Sequence, residues 1–182
     1  MSISVAFILG CGYSGTTLLD LILGSHSRMI GVGEIHANAF DAFLDQNQIC
    51  TCLFKARECH FWSKVLKTLH KHTGEESFRL APVNGGSDAI VRNTTELFRA
   101  IKEVSSAEIL VDSSKRTRRA HLLVESGLIQ PKIIHLVRDG RAVAYSYSDE
   151  GTCSDKLFPN GGRLILPYAT GWRAAGLRII SA

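Results

Sequence analysis

The chain lacks a hydrophobic run long enough to cross a membrane. Its longest apolar stretches, such as Leu18–Leu23, are short and interrupted by Asp20, whereas a spanning helix needs about 20 predominantly apolar residues. The apolar N-terminus has neither the basic segment nor the cleavage site of a secretion signal. We therefore expect a soluble, cytoplasmic protein without a membrane span.

The number of cysteines is odd, so they cannot all be paired in disulfide bonds, which argues against a disulfide framework. The five cysteines of the chain are Cys11, Cys50, Cys52, Cys59 and Cys153. Without a secretion signal, reduced thiols are expected. The group Cys50, Cys52 and Cys59–His60 invites a zinc interpretation, but the usual C-x₂-C spacing and a second pair of ligands are absent. We predict ordinary loop or core cysteines and no metal site.

No internal repeat, low-complexity tract or linker divides the chain, so its 182 residues predict a single domain over residues 1–182. The net charge of +4 is concentrated in two basic clusters, Lys115–Arg119 and Arg138–Arg141. Such clusters suit nucleic acid or a small polyanionic ligand, or form a solvated face. Because no nucleic-acid-binding module accompanies them, we expect no nucleic-acid partner.

Strands alternate with helices along the chain. The predicted strands are at about residues 4–9, 29–32, 108–115 and 132–137. The predicted helices are at residues 15–23, 37–44, 61–72 and 88–104 (with Asp88 as N-cap), 120–125, from 139 onward, and around Trp172. Continuous apolar strands in this alternation predict an α/β fold, with a buried parallel sheet flanked by helices on both faces.

Informative polar residues follow each of the four predicted strands. They are Tyr13–Thr17, Glu34–His36, Ser113–Lys115 and Arg138–Arg141. Ligands of open parallel sheets bind beyond the carboxyl ends of the strands. We therefore expect these four loops to converge on one cleft.

The segment ILGCGYSGTTLL has the frame of a phosphate-binding loop (P-loop), from Gly10 to Gly15, but Thr16 occupies the usual lysine position. A glycine loop that opens a helix offers backbone N–H groups and the positive end of the helix dipole to an anion. Ser14, Thr16 and Thr17 add hydroxyl donors. The loop suits a terminal phosphate or sulfate better than Mg·ATP, because the lysine is missing and no acidic strand end resembles a magnesium-holding Walker B segment. Asp112 is the nearest candidate for such an acid. A structural turn without a ligand is the alternative.

Two segments resemble the donor-binding motifs of the sulfotransferases that use 3′-phosphoadenosine 5′-phosphosulfate (PAPS). GCGYSGTTLL resembles their 5′-phosphosulfate loop, and VRDGRAVAYS resembles their 3′-phosphate motif, in which an arginine precedes a serine by eight positions. GVGEIH and VDSSK resemble the glutamate and lysine segments of the tyrosylprotein-type and related bacterial members. The resemblance implies a sulfotransferase fold, PAPS as cosubstrate, no metal, and an acceptor that carries a hydroxyl.

The resemblance also implies roles for individual residues. The expected donor-binding residues are Gly12, Tyr13, Ser14, Gly15, Thr16, Thr17, Arg138 and Ser146. Glu34 would be the base that removes the acceptor proton, with His36 as the alternative base, and Lys115 would stabilise the leaving phosphate. The competing structural roles are a helix N-cap or a carboxylate that complements the helix dipole for Glu34, and a place on a basic face for Lys115.

The chain departs from the family in two respects. Many members have Arg or Lys where this chain has Tyr13, and members are longer, so we expect that a C-terminal part of the domain is missing. Alternative functions are a P-loop small-molecule kinase and a non-catalytic nucleotide-binding remnant of the fold. The acceptor is not predicted: a small molecule, carbohydrate, lipid or protein tyrosine all fit, because loops 46–55 and 151–163 carry no recognisable pattern.

Overall fold

A computed structural model describes residues 2–75, 78–80 and 86–149. Several predicted features lie outside these residues: the helix around Trp172, the loop at residues 151–163, Cys153, and most of the loop before Asp88.

A parallel four-stranded sheet forms the centre of the described domain. Its strands are β1 (Ile3–Gly10), β2 (Met29–Gly31), β3 (Ile109–Asp112) and β4 (Ile129–Leu136). They lie in the order β2-β3-β1-β4, and all three pairings are parallel. This sheet and its helices confirm the α/β prediction.

Six helices accompany the strands in the residues that the structure describes. They are α1 (Thr16–Gly24), α2 (Ala37–Asp45), α3 (His60–Thr73), α4 (Ser87–Ser105), α5 (Thr117–Glu125) and α6 (Gly140–Asp149). Within the described part of the chain, none of them has the length and apolar character needed to cross a membrane.

Strand β1 is buried on both faces because its side chains alternate between two cores. Ile3, Val5, Phe7 and Leu9 belong to the larger core, which also includes buried residues of α3, α4 and α5. Ala6 and Ile8 belong to a smaller core, which α1 supplies with Leu19 and Leu23. Helices therefore cover both faces of β1, as the strand–helix alternation predicts.

Two local predictions are wrong. β4 is not a buried strand: it pairs with β1 at one edge of the described sheet, and its Lys132, Ile133 and His135 are exposed. An edge position leaves an apolar strand partly open to solvent, which its sequence does not reveal. Asp88 is not the N-cap of α4, because Gly86 holds that position and Asp88 lies in the first turn. There its carboxylate still complements the helix dipole.

Candidate functional site

The glycine loop between β1 and α1 depends on residues in unusual backbone conformations. Gly15, the N-cap of α1, has a φ of 94°, in the left-handed region that glycine tolerates best. Tyr13 adopts a left-handed φ of 59°. Gly10 ends β1 where a Cβ atom would lie only 2.6 Å from the carbonyl oxygen of Leu136. The loop therefore passes β4 with no space for a larger residue at position 10.

The hydroxyl of Ser14 is a candidate donor to an anion in this loop. Ser14 is buried, and its Oγ has no hydrogen-bond partner among the described residues. Burying a hydroxyl without a hydrogen-bond partner is costly in free energy unless a ligand accepts its hydrogen bond. Thr16 is buried and Thr17 exposed in the first turn of α1, where the helix dipole also attracts negative charge. The loop thus offers donors that suit a phosphate or sulfate oxygen.

Lys115 joins the loop after β3 to the loops after β1 and β2. Its Nζ forms an ion pair with the Glu34 carboxylate and donates to Thr16 Oγ1 at 3.4 Å. Its backbone has a left-handed φ of 58°. Nearby, the Ser113 N–H donates to the Gly33 carbonyl at 3.0 Å, so the two strand-end loops are also linked through the backbone.

Arg138 connects the fourth loop to the glycine loop. Its Nη1 donates to the Tyr13 carbonyl at 2.6 Å and to Ser146 Oγ at 3.3 Å. Ser146 lies on α6 and donates to the Ala142 carbonyl at 3.0 Å. The guanidinium and the hydroxyl, eight positions apart, therefore meet. Arg141 is different, because its side chain is 91% exposed and pairs with Asp139.

Glu34 and His36 occupy the connection between β2 and α2. The N-cap of α2 is His36, and Glu34 lies outside the helix, so the proposed N-cap role for Glu34 is wrong. Burial lowers the pKa of His36 below its usual 6.5, and the nearby Arg116 lowers it further, against the opposing effect of Glu34. His36 is consequently neutral at neutral pH and able to accept a proton.

The basic cluster at residues 115–119 is not one solvated face. Arg119 is buried and donates through Nη1 to Asp112 Oδ2 at 2.6 Å, with its Cζ 5.6 Å from the centre of the Phe98 ring. Asp112 also accepts the Ser114 N–H at 2.9 Å. These contacts fix the start of the loop that carries Lys115. They also commit the Asp112 carboxylate to an arginine, which leaves it a poor magnesium ligand.

Asp20 was not predicted as a site residue, yet it lines a cavity beside Glu34. The cavity has a volume of about 360 Å³, and its walls include Ile35, Phe43 and Trp62. Burial raises the pKa of Asp20 to about 6, and its Oδ1 has no hydrogen-bond partner within the described ranges. The only signal in the sequence is a carboxylate that interrupts the apolar face of α1.

Comparison with protein-family models gives a match. The model of the sulfotransferase family matches residues 6–150, a segment that includes all four loops of the site. No curated protein and no solved structure matches the chain.

Proposed function

Because the chain belongs to the sulfotransferase family, we propose that it transfers a sulfuryl group from PAPS to an acceptor hydroxyl. The observation that carries this proposal is the double contact of Lys115. Its ammonium touches both the glycine loop, at Thr16, and the Glu34 carboxylate. A cation between an anion-binding loop and a potential base is the arrangement that such a transfer requires.

The donor would span two anion sites at the end of the sheet. Its phosphosulfate would lie against the backbone of residues 12–17, with the unpartnered Ser14 hydroxyl as one donor. Its 3′-phosphate would bind the guanidinium of Arg138 and the hydroxyl of Ser146. The Nη1 atom of Arg138 and the Oγ atom of Ser146 already lie 3.3 Å apart. Because Arg138 also holds the Tyr13 carbonyl, the two sites are mechanically connected.

The acceptor would enter the cavity that Glu34 lines. There the Glu34 carboxylate would remove the proton of the attacking hydroxyl, and Lys115 would stabilise the charge that develops on the leaving phosphate. His36, neutral at neutral pH, is the alternative base. The largely apolar wall favours hydroxyls attached to an apolar or aromatic group.

The geometry disfavours the kinase alternative. Thr16 replaces the lysine that would reach the β- and γ-phosphates of ATP. The Asp112 carboxylate at the end of β3 is paired with Arg119 and accepts a backbone N–H. Magnesium would therefore have to displace a buried ion pair before it could bind there.

Calorimetric titration with adenosine 3′,5′-bisphosphate, compared with Mg·ATP, tests the proposal. We expect the bisphosphate to bind and Mg·ATP to bind weakly or not at all. Arg138→Ala should weaken bisphosphate binding by about 10- to 100-fold, since a hydrogen bond to a charged group contributes about 1.5–3 kcal/mol. Arg141→Ala is the matched control, because Arg141 is exposed and pairs with Asp139.

Three results would contradict the proposal. Preference for Mg·ATP would favour the kinase function. Equal losses in the Arg138 and Arg141 variants would mean that the anion recognises only the general positive charge of this loop. Retained bisphosphate binding without transfer to any of a panel of phenols, sugars and aliphatic alcohols would favour the non-catalytic remnant.

A further inference from the structure

Three cysteine thiols meet beside the β2–α2 region, although their spacing in the sequence did not predict it. The Sγ atom of Cys59 lies 3.3 Å from that of Cys52 and 3.7 Å from that of Cys50. All three Sγ atoms lie within 4.8 Å of one another. All three are free thiols, and they range from buried Cys59 to exposed Cys52.

These distances match three corners of a metal tetrahedron. Zinc binds thiolate sulfur at about 2.3 Å in tetrahedral geometry, which places neighbouring sulfurs about 3.8 Å apart. The separations of 3.3 and 3.7 Å from the Cys59 sulfur are slightly shorter than this value, and the sulfurs of Cys50 and Cys52 lie within 4.8 Å of each other. A disulfide, by contrast, needs sulfurs about 2.05 Å apart and would leave one of the three thiols unused. The arrangement therefore suits a shared metal better than a pairwise bond.

The backbone holds the three thiols in place without help from a metal. A tight turn positions the first two: the Cys50 N–H donates to the Phe54 carbonyl, and the Leu53 N–H donates to the Cys50 carbonyl, both at 2.8 Å. An antiparallel bridge between Ile49 and Lys55 closes this turn. The Cys59 N–H donates to the Lys55 carbonyl at 2.8 Å, which brings the third thiol under the turn.

The start of a helix opposes the rise that burial causes in the pKa of the Cys59 thiol. Cys59 is the N-cap of α3, a helix of 14 residues, so the positive end of the helix dipole faces its sulfur. Three neighbouring thiolates would repel each other strongly unless a cation compensates their charge. Soft thiolate ligands select zinc-like metals over magnesium or calcium.

We propose that Cys50, Cys52 and Cys59 bind a thiophilic divalent metal ion of the zinc class. Each thiol gives up its proton as its sulfur bonds to the metal, so binding releases up to three protons per ion. Among the described residues these three are the ligands that lie close enough, so we assign the fourth coordination position, on the exposed side of Cys52, to a water molecule. The site is independent of sulfuryl transfer, but Cys50 and Thr51 line the same cavity as Glu34. The metal therefore fixes one wall of that cavity.

Titration of the reduced, metal-free full chain with Co²⁺, followed by competition with Zn²⁺, tests the proposal. Tetrahedral thiolate coordination gives intense visible bands and a sulfur-to-cobalt charge-transfer band whose intensity rises with the number of thiolates. We expect one ion per chain, an intensity typical of three thiolates, and complete displacement by Zn²⁺, which binds such ligands more tightly than Co²⁺.

Single serine variants identify the ligands. Cys50→Ser, Cys52→Ser and Cys59→Ser should each lower cobalt affinity by at least about tenfold. Cys11→Ser is the matched control and should leave the spectrum and stoichiometry unchanged. Since Cys59 is buried and its variant risks misfolding, the wild-type chain provides a second measurement. Zn²⁺ should protect the three clustered thiols, but not Cys11, from alkylation mapped by mass spectrometry.

Three outcomes would overturn the proposal: octahedral cobalt spectra without a thiolate band, equal effects of the Cys11 and Cys52 variants, and alkylation of the three thiols at the same rate with and without Zn²⁺. None of these measurements depends on PAPS or on an acceptor. Failure of the metal site is thus distinguishable from failure of the proposed transferase function.

Discussion

Lys115 and Thr16 are 99 positions apart in the chain, yet the Lys115 ammonium lies 3.4 Å from the Thr16 hydroxyl. The same ammonium pairs with Glu34. β3, which precedes Lys115, lies between β1 and β2 in the sheet, so a side chain beyond its carboxyl end reaches the loops of both neighbours. Strand order therefore gives the lysine its two contacts.

Replacing Lys115 by methionine should slow turnover far more than it weakens nucleotide binding. The methionine keeps most of the side-chain volume but removes the charge that would stabilise the leaving phosphate. We therefore expect kcat to fall by about 10²–10³-fold. Sulfate transfer and bisphosphate titration measure the two effects. Lys132→Met, on the exposed face of β4, is the control for lost charge. Equal loss of kcat in both variants would contradict a catalytic role for Lys115.

Glu34→Gln and His36→Gln should separate the two candidate bases. If Glu34 removes the acceptor proton, Glu34→Gln lowers kcat by about 10²–10⁴ and leaves bisphosphate affinity nearly unchanged. His36→Gln should then have a small effect on kcat. Glu108→Gln, which breaks an exposed ion pair with Arg28, is the matched control. A larger loss of kcat in the His36 variant would transfer the role to His36.

The sequence was sufficient to predict the fold and the meeting of the four loops. Both follow from local information: apolar strands alternate with helices, and parallel strands bring their carboxyl ends to the same edge. The pairing of Arg138 with Ser146 was implied by the resemblance to the 3′-phosphate motif of sulfotransferases, and the two residues lie in the turn after β4 and in the following helix α6. Such features depend on a few residues that are close together in the chain, so a short sequence pattern is enough to predict them.

The features that the sequence did not reveal depend on contacts between distant segments. Arg119 is part of a basic run, and only its pairing with Asp112 against Phe98 distinguishes it from its exposed neighbours. Cys59 approaches Cys50 and Cys52 because a hairpin folds over the start of α3. Asp20 is buried because Gly31 of β2 packs closely against it. In each case the environment, and not the residue type, determines the role.

Loss of the buried ion pair should destabilise the domain much more than loss of an exposed one. Arg119→Met leaves the Asp112 carboxylate buried without its cation, at a cost of about 3–5 kcal/mol in the free energy of unfolding. Arg28→Met, which breaks the exposed pair with Glu108, should cost less than about 1 kcal/mol. Chemical denaturation measures both. Adding Asp112→Asn to Arg119→Met should restore part of the stability, and failure to do so would contradict the unpaired-charge explanation.

Asp20 should make the stability fall as the pH rises from about 4 to 6. Its pKa is about 6 in the folded chain and near 3.8 when unfolded, so the folded state holds a proton that the unfolded state loses in this range. A full shift of this size corresponds to about 3 kcal/mol, which solvent screening reduces to about 1–2 kcal/mol. Asp20→Asn removes the titration. In denaturation experiments, the free energy of unfolding of the variant should rise by this amount relative to that of the wild type between pH 4 and 7. Parallel curves of unfolding free energy against pH would contradict the burial of a titrating carboxyl.

Gly15→Ala and Gly74→Ala should lose similar stability but differ in anion binding. Both glycines have left-handed φ values, 94° and 73°, and neither has an atom closer than 4.0 Å to an added Cβ. The backbone strain of alanine should therefore cost each about 1–2 kcal/mol. Gly74 is the C-cap of α3, whereas Gly15 opens α1 in the glycine loop. We expect only Gly15→Ala to weaken binding of adenosine 3′,5′-bisphosphate, measured under conditions where both variants remain folded, because strain there redirects the N–H groups that face the anion. Equal affinities in the two variants would mean that the glycine loop is a structural turn with no ligand of its own.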